Sequence, residues 1–404
     1  MKRMVAVLIL SAAIVLLFGH GSTYAAPSTI KIGFIDTYSG AGATFTYDIL
    51  DGFKMVINKV NAKGGVLGRK IEWVTRDDKF KTDIASGFAR ELITKEKVDL
   101  LMGMWSSSAA LAVSEIAKRE KVPLLVTFAK SEKISGEKGH RYVFSVTDNT
   151  AMAGRAAAQM LSKKPYVKYW IAGEDYDYSH SLADTIWNGL KARKPDVQLL
   201  GQTYWKVGDA DIAPYITQML AAKPDALIIT TGGAGMVNFM KAAKTMGVAQ
   251  RVPIYMHTAI EVSVLQALGA EAPEGILGTA AYMFYYPETP ENKAFVDEFR
   301  KTYNRYPKVG AIYGTIAANL IVKAYQKAGS VDKEKFITAL EGLTVDSPVG
   351  KVEMRACDHQ VVMPLFGGVT KKDPRYDFLT ATDMVSIPGK DYMPTCEEVL
   401  KTRK

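Results

Sequence analysis

The amino-acid sequence predicts an α/β protein built from two doubly wound, Rossmann-like lobes. From residue 30 onward, short apolar runs alternate with longer amphipathic stretches, glycine-rich turns separate them, and the same alternation begins again near Thr150. Repeated β-α-β order is typical of a parallel sheet covered by helices on both faces. The chain has 404 residues, whereas single hydrophobic cores rarely grow beyond about 250–300 residues. We therefore expect two domains.

The first βα series opens the predicted fold. Its helices are amphipathic: in the stretch 49–60, Ile49, Phe53 and Val60 fall on one face at helical spacing. The glycine-rich turn at 63–68 ends that helix. The predicted strands are 30–35, 70–75, 98–102 and 123–126, and the predicted helices are 49–60, 82–96 and 107–120.

The second βα series begins near Thr150 and ends near Tyr282. Its predicted helices are 151–161, 179–192, 212–221 and 236–246, and its predicted strands are 167–172, 197–204, 226–230, 253–256 and 275–280. Three more helices (290–303, 309–328 and 332–341) and a short strand-rich tail follow, which is too little for a third lobe. A small ligand should bind in the cleft between the lobes, where the carboxyl ends of strands face each other.

The N-terminus has the pattern of a secretory signal peptide over residues 1–25. Two basic residues precede an apolar run at 5–18, and small residues follow, with Thr23 and Ala25 in the positions before cleavage. The apolar run is shorter than the stretch of about 20 residues that spans a bilayer. An uncleaved membrane anchor is the alternative interpretation. We expect an exported, soluble mature chain.

The two cysteines, Cys357 and Cys396, lie near the C-terminus. In an exported protein an isolated pair indicates one disulfide. Closing a loop of roughly 40 residues would stabilise the fold by about 3–4 kcal/mol. Two free buried thiols are the alternative, which an oxidising compartment disfavours. Two thiols alone cannot form a structural zinc site.

The charge pattern argues against nucleic-acid binding. The formal net charge is +9, from 51 Lys and Arg against 42 Asp and Glu. A nucleic-acid site would gather this charge on one face with interleaved aromatic residues, whereas the lysines here are dispersed along the chain. We predict a solvated basic surface that could aid contact with an acidic partner or a membrane surface.

The sequence carries no recognisable catalytic machinery. It contains no Walker A motif, no G-x-S-x-G elbow and no H-E-x-x-H motif. Ser135 and Lys138 match S-x-x-K, but they lie in a polar stretch broken by glycine. Asp175, Asp177 and His180 could ligate a metal ion, although a loop that lines the cleft is the stronger interpretation. We therefore predict no catalytic residue, no cofactor and no metal.

Hydroxyl-rich turns at two neighbouring strand ends form the candidate ligand site. Trp105, Ser106 and Ser107 lie between a predicted strand and a predicted helix. Hydroxyls, free N–H groups and the positive end of the helix dipole can bind an anion there, whereas a serine cap without a ligand is the alternative. The next strand ends at 127–131 with further hydroxyls. Together the turns favour a carboxylate or another small polar ligand.

Aromatic residues in loops supply candidate apolar contacts. Phe45 precedes the first predicted helix of lobe one, and Tyr176 and Tyr178 precede a helix of lobe two. Loop aromatics that face a cleft can clamp an apolar group of a ligand, although each alone is more often a packing residue. The aromatic cluster at 282–286 is predicted to pack at the hinge.

Several sequence segments together resemble one family. They are residues 32–40, 61–70, 175–178, 355–360 and 394–396. With these segments the chain, from about residue 30 to its end, resembles the periplasmic leucine/isoleucine/valine-binding proteins, which are the solute-binding components of ABC importers. The combination is more specific than any one segment.

The resemblance implies two Rossmann-like lobes joined by three crossover segments, with the ligand cleft between them. Lobe one would comprise 27–147 and 283–350, and lobe two 148–282 and 351–404. The implied function is capture of a solute in the periplasm by lobe closure, followed by recognition of the closed form by an ABC-type membrane permease. The protein would act as a monomer and without covalent chemistry.

The resemblance also implies roles for individual residues. Ser107 would bind a ligand carboxylate through its hydroxyl and its backbone N–H. Ala129 would contribute backbone groups, and Ser131 stands where the family has a hydroxyl residue that holds the polar end of the ligand. Phe45 occupies the place of an aromatic residue against the ligand side chain, and Tyr178 aligns with an aromatic residue of lobe two.

One departure from the family pattern concerns the ligand's amino group. Family members that bind α-amino acids hold the ammonium with an acidic residue in the loop where this sequence has Thr258, with Glu261 three residues further on. Burying an ammonium without a counter-charge costs several kcal/mol. Either Glu261 reaches the cleft and the ligand is a branched-chain amino acid or a related carboxylate, or the ligand is an aromatic or aliphatic acid or an amide. A ligand-sensing receptor module and an exported hydrolase are the alternatives from other classes.

Overall fold

The computed structural model describes residues 29–403, so the expected signal peptide at 1–25 lies outside the described residues. The first part of the described chain alternates strands and helices. In chain order these are β1 (Ile30–Asp36), α1 (Ala43–Ala62), β2 (Ile71–Asp77), α2 (Thr82–Thr94), β3 (Leu100–Gly103), α3 (Ser107–Glu120), β4 (Leu124–Val126) and β5 (Val143–Ser145). The five strands form a parallel sheet in the order β2-β1-β3-β4-β5.

The second part repeats this pattern in lobe two. It contains α4 (Thr150–Ser162), β6 (Lys168–Glu174), α5 (Asp177–Arg193), β7 (Gln198–Trp205), α6 (Ala213–Ala221), β8 (Ala226–Ile229), α7 (Gly233–Thr245), β9 (Ile254–His257), α8 (Val262–Leu268) and β10 (Ile276–Ala280). The central strands are buried along their whole length, as β8 and β9 illustrate. Continuous burial is expected of parallel strands covered on both faces.

The last part of the described chain returns to lobe one and then to lobe two. It contains α9 (Pro290–Tyr303), α10 (Val309–Ala328), α11 (Lys333–Leu340), β11 (Thr344–Ser347), β12 (Gly350–Met354), β13 (Val361–Val362), β14 (Leu365–Lys371), β15 (Thr380–Ile387), α12 (Gly389–Tyr392) and α13 (Cys396–Thr402). Strands β14 and β15 are antiparallel and extend the second sheet, whose order is β15-β14-β10-β9-β8-β6-β7. The second sheet is therefore mixed.

Helix α10 is buried along most of its length and packs against α1. Two glycines of α10 permit this close approach, because a Cβ at Gly310 or Gly314 would collide with the carbonyl oxygen of Phe45 or Ile49, respectively. The contact fixes the first turn of α1, which begins at Ala43 rather than at residue 49 as expected from the sequence. Phe45 thereby belongs to the helix and faces the cleft.

The segment from β11 to β13 forms one small antiparallel sheet. Residues 351–404 were assigned to lobe two, but β12 and β13 pair with β11 in a small antiparallel sheet that follows α11 of lobe one. The backbone N–H of Ser145, at the end of β5, also donates to the carbonyl of His359 at 2.8 Å. We therefore propose that the third crossover joins Val362 to Leu365.

The C-terminal helix α13 lies across the hinge side of the molecule. The expected disulfide between Cys357 and Cys396 is formed and attaches the start of this helix to the 355–360 loop. At its other end, the Arg403 guanidinium donates to the carbonyl of Ser135 at 2.9 Å. Within residues 29–403, no helix has both the length and the apolar character needed to cross a bilayer.

Candidate functional site

A cavity of about 460 Å³ lies between the two lobes. Its lining residues follow the carboxyl ends of β1–β4 in lobe one and of β6, β8 and β9 in lobe two, so it occupies the cleft that the sequence predicts. They are Phe45, Phe80, Trp105, Ser106, Ser107, Ser108, Leu111, Phe128, Lys130, Lys133, Tyr176, Asp177, Tyr178, Gly232, Gly233, Thr258, Glu261 and Val264.

The serine run at the start of α3 forms one polar wall of the cavity. The turn from β3 is tight, because a Cβ at Gly103 would collide with the backbone of Ile35. Ser106 caps the helix, and its Oγ accepts a hydrogen bond from the N–H of Ala109 at 3.4 Å. The Oγ of Ser107 accepts from another turn, through the backbone N–H of Ser131 at 3.2 Å. Hydroxyls and free N–H groups at a helix N-terminus suit a ligand carboxylate.

Of the eight predicted ligand residues, six line the cavity and two do not. The six are Phe45, Trp105, Ser106, Ser107, Tyr178 and Thr258. The N–H of Ala129 donates to the carbonyl of Met104 at 3.0 Å, so this backbone donor is occupied. Ser131 is buried beside the lining, and its Oγ has no hydrogen-bond partner among the described residues. Ser131 therefore meets the cavity only through Ser107.

A row of aromatic rings runs along the lobe-one wall. Phe80 lies 5.0 Å from Trp105, Trp105 stacks on Phe45 at 6.4 Å, and Phe45 lies 5.1 Å from Phe128, all between ring centroids. From lobe two, Tyr178 stacks on Tyr176 at 5.7 Å. The prediction missed Phe80 and Phe128, although both are aromatic residues next to strand ends. The walls are thus suited to a ligand with an apolar or aromatic body.

Lys130 carries a positive charge to the floor of the cavity. Its side chain is only 8% exposed, and its Nζ donates to the Asp148 carboxylate at 2.7 Å. Tyr313 of α10 also donates to this carboxylate. From lobe two, the His257 Nε2 lies 3.2 Å from Oδ2 of Asp148. Lys130 was not predicted as a site residue, because a lysine next to a loop normally belongs to the solvated surface.

The electrostatics of this floor favour an ionised Asp148. Burial alone raises the pKa of Asp148, but the Lys130 ammonium and His257 together hold it well below its usual range. The pKa of His257 is lowered, because burial disfavours its charged form. Lys130 and Asp148 therefore form a buried ion pair that joins lobe one to the first crossover.

Glu261 supplies a carboxyl group from lobe two. It precedes α8 and is 2% exposed, and its Oε1 has no hydrogen-bond partner among the described residues. Its Oε2 accepts only a long hydrogen bond, 3.5 Å, from Ser263. Burial raises the pKa of Glu261 to about 7. The sequence left open whether Glu261 reaches the cleft, and in the structure it lies in the cavity lining.

The mouth of the cavity carries an ion pair between the lobes. The Nζ of Lys133 in lobe one lies 2.6 Å from Oδ1 of Asp177 in lobe two. Asp177 begins α5, and in the first turn of this helix the His180 Nε2 lies 2.8 Å from Oδ1 of Asp175. Among residues 29–403, no group of three or more His, Cys, Asp or Glu side chains could hold a metal ion. Asp177 thus pairs with Lys133, and Asp175 contacts His180.

Comparison with protein families identifies the chain. Residues 29–373 match the profile of the family described as periplasmic binding protein. The chain belongs to this family. It is therefore a periplasmic solute-binding protein, and the family resemblance noted in the sequence is confirmed.

Individual relatives of this periplasmic binding protein are distant in sequence. It is 26% identical to a Leu/Ile/Val-binding protein homolog 7 of Brucella abortus over 345 residues, which cover 82% of this chain and 85% of the relative. It is 25% identical to the leucine-, isoleucine-, valine-, threonine-, and alanine-binding protein of Pseudomonas aeruginosa, with 83% and 88% of the two chains covered.

Solved structures share its two-lobed fold. A solute-binding protein of an ABC transporter from Rhodopseudomonas palustris BisB5, in complex with 3,4-dihydroxybenzoic acid, superposes with a TM-score of 0.81 at 23% identity, covering 90% of this chain and 98% of that one. An amino acid ABC transporter substrate-binding protein from Pseudomonas fluorescens gives a TM-score of 0.83 at 20% identity, covering 93% and 99%. At these identities the likeness concerns the fold.

Proposed function

We propose that this periplasmic binding protein is the solute-binding component of an ABC importer and captures a small carboxylate between its lobes. The observation that carries the proposal is one cavity that presents anion-binding groups from lobe one and an unpaired carboxyl from lobe two. Concave sites with an apolar lining and a few convergent polar groups are typical of small-molecule binding. Polar groups come from both lobes, so the ligand is held fully only when both lobes meet.

The carboxylate end of the ligand belongs at lobe one. The serine hydroxyls at the start of α3 lie at the positive end of the helix dipole, where anions are stabilised. The Lys130 side chain lines the same cavity, and its charge is balanced by the ion pair with Asp148. A ligand carboxylate placed here would accept hydrogen bonds from Ser107 and from the first N–H groups of α3.

The amino end of the ligand belongs at Glu261. Its Oε1 is buried and has no hydrogen-bond partner among the described residues. A buried acceptor of this kind costs free energy unless a donor of the ligand forms a hydrogen bond to it. An α-ammonium group supplies such a donor together with the matching charge. This pairing supports a branched-chain amino acid or a related amino acid as the ligand, in keeping with the names of the relatives.

The aromatic walls support a second candidate, an aromatic or aliphatic acid or an amide that lacks an α-amino group. Phe45, Phe80, Trp105 and Phe128 make the lobe-one wall aromatic and apolar. Glu261 would then be protonated and donate a hydrogen bond to a ligand oxygen, which its raised pKa permits. The dihydroxybenzoic acid bound by the Rhodopseudomonas protein agrees with this candidate.

Delivery of the ligand rests on lobe closure. The ligand bridges the two lobes, and the pair between Lys133 and Asp177 closes the mouth beside it. A ligand shifts the equilibrium between the open and the closed form only by as much as it binds the closed form more tightly than the open form. The permease of the importer would then recognise the closed form, and no covalent bond is made or broken.

A ligand screen with matched serine variants tests the proposal. Amino acids, aromatic acids, short-chain acids and amides are added to the mature protein, and the melting temperature and calorimetric affinity are measured. Ser107→Ala should weaken binding by about 1–3 kcal/mol, because a buried ligand oxygen loses its donor. Ser86→Ala, on α2 and outside the cavity lining, should bind like the wild type.

The outcomes separate the candidates. Binding only of acids and amides without an amine would reject the amino-acid candidate. Equal affinities of the wild type and Ser107→Ala would remove the serine run from the site. Chemical conversion of a captured compound would show an enzyme instead of a carrier.

A further inference from the structure

Phe80 lies at the mouth of the cavity and is unusual in its exposure. Its side chain is 58% exposed, more than any other large hydrophobic side chain within residues 29–403, yet it lines the ligand cavity. Further along the same aromatic row, Phe128 is 9% exposed. The row thus leads from solvent at Phe80 to the buried floor near Lys130.

The backbone of the Phe80 loop is held in a strained conformation. Lys79 and Phe80 have φ angles of 53° and 60°, a left-handed region that residues with a side chain rarely adopt. Two carboxylates fix the loop: Asp77 accepts from the N–H of Lys79 at 2.9 Å, and Asp78 accepts from the N–H of Phe80, also at 2.9 Å. Strained backbone that is held in place in this manner concentrates at ligand clamps and active sites.

The fixed loop places the Phe80 ring beside Trp105. Their centroids are 5.0 Å apart with an interplanar angle of 55°. From lobe two, Gly232 and Gly233 line the same cavity without side chains, and a Cβ at Gly233 would meet no atom within 4 Å. The cavity is therefore lined by two aromatic rings of lobe one and by glycine backbone of lobe two.

We propose that Phe80 and Trp105 form an outer subsite that binds the flat aromatic end of the ligand. The subsite makes the protein prefer a ligand with an aryl end over a ligand with the same polar head and a branched alkyl end. The inference rests on the proposed function, since it requires a carboxylate head at α3. It does not depend on whether the ligand carries an amino group.

Two matched ligand pairs test the outer subsite by calorimetry. One pair is phenylalanine and leucine, and the other is 3-phenylpropanoate and 4-methylpentanoate, so that each pair differs only in the apolar end. The wild type should bind the aryl member of the accepted pair more tightly. Phe80→Ala should lower the affinity for the aryl member roughly tenfold and for the alkyl member by less than about twofold, because ring–ring contacts are lost.

Control variants separate binding from packing. Phe80→Tyr keeps the ring and should retain the wild-type preference. Tyr47→Ala removes another exposed aromatic side chain of lobe one, 51% exposed and outside the cavity lining, and should leave all affinities unchanged. Phe80→Ala should also keep the ligand-free melting temperature, because most of its side chain is already in water.

The outcomes distinguish this inference from the proposed function. Equal losses for the aryl and alkyl members in Phe80→Ala, or a wild type that prefers the alkyl member, would overturn the outer subsite and leave the solute-binding function standing. A wild type that binds neither these four acids nor any compound of the wider screen would overturn both.

Discussion

Glu261 makes the stability of the ligand-free protein depend on pH in a manner that one substitution can isolate. Burial raises the pKa of its carboxyl from 4.5 to about 7, with Lys130 opposing the rise and Asp148 adding to it. The folded protein therefore holds this proton more tightly than the unfolded chain does. As the pH rises from 4.5 to about 7, the unfolded chain loses the proton first, and the folded state is destabilised.

The substitution Glu261→Gln removes this titration and keeps the size of the side chain. The difference of about 2.5 between the folded and unfolded pKa corresponds to about 3 kcal/mol. Between pH 4.5 and pH 8, the unfolding free energy of the wild type should therefore fall by about 3 kcal/mol relative to that of the variant. The difference in unfolding free energy between the wild type and the variant should be constant below pH 4 and above pH 8. At those pH values the Glu261 carboxyl has the same charge in the folded and the unfolded state.

Urea denaturation of the ligand-free proteins at several pH values from 4 to 8 measures this difference. Glu271→Gln, at an exposed position of lobe two, is the matched control and should give a curve parallel to that of the wild type. If the wild type and Glu261→Gln also gave parallel curves, Glu261 would not be a buried, unpaired carboxyl, and its proposed role as the ammonium site would lose its basis.

Two further predictions concern the framework around the cavity. Lys130→Met leaves the buried Asp148 carboxylate without the ammonium that pairs with it and should lower the unfolding free energy by about 3–5 kcal/mol. Lys133→Met, which breaks an exposed pair, should cost less than about 1 kcal/mol in the same denaturation assay. Equal losses of unfolding free energy in the two variants would show that the ion pair between Lys130 and Asp148 is solvated. Replacing Cys357 and Cys396 by serine should cost about 3–4 kcal/mol, and an unchanged urea midpoint would contradict this.

The helices and parallel strands follow from the sequence because local signals mark their ends. Helix α9 occupies the predicted range, since Thr289 caps it and Pro290 takes its first position, where a missing N–H costs nothing. Helix α10 ends where Gly329 adopts a left-handed conformation, also as predicted. The start of α1 was less predictable, because its first turn has few apolar residues and is held by packing against α10.

Whether a site residue could be predicted depends in the same manner on whether its signal is local or tertiary. The serine run of α3 could be predicted, because a strand followed by hydroxyls and a helix is a local pattern. Glu261 could be named from the sequence but not placed, since its position depends on how α8 packs at the inter-lobe face. Lys130 was missed, because its ion pair requires Asp148, and the turn that brings the two side chains together has no signature in the sequence.

The charges at the cavity floor connect the chemistry of the ligand to the protonation of Glu261. Lys130 and Asp148 balance each other in their ion pair, so Glu261 is the group whose charge the ligand must match. An ammonium beside it stabilises the carboxylate, whereas an acid or amide without an amine stabilises the protonated carboxyl, which can donate a hydrogen bond. Because the pKa of Glu261 lies near 7, neither form is costly at neutral pH. We therefore propose that Glu261 lets the serine-bearing site accept either ligand class, and we expect a pH above 7 to favour an amine-bearing ligand and a pH below 7 to favour one without an amine.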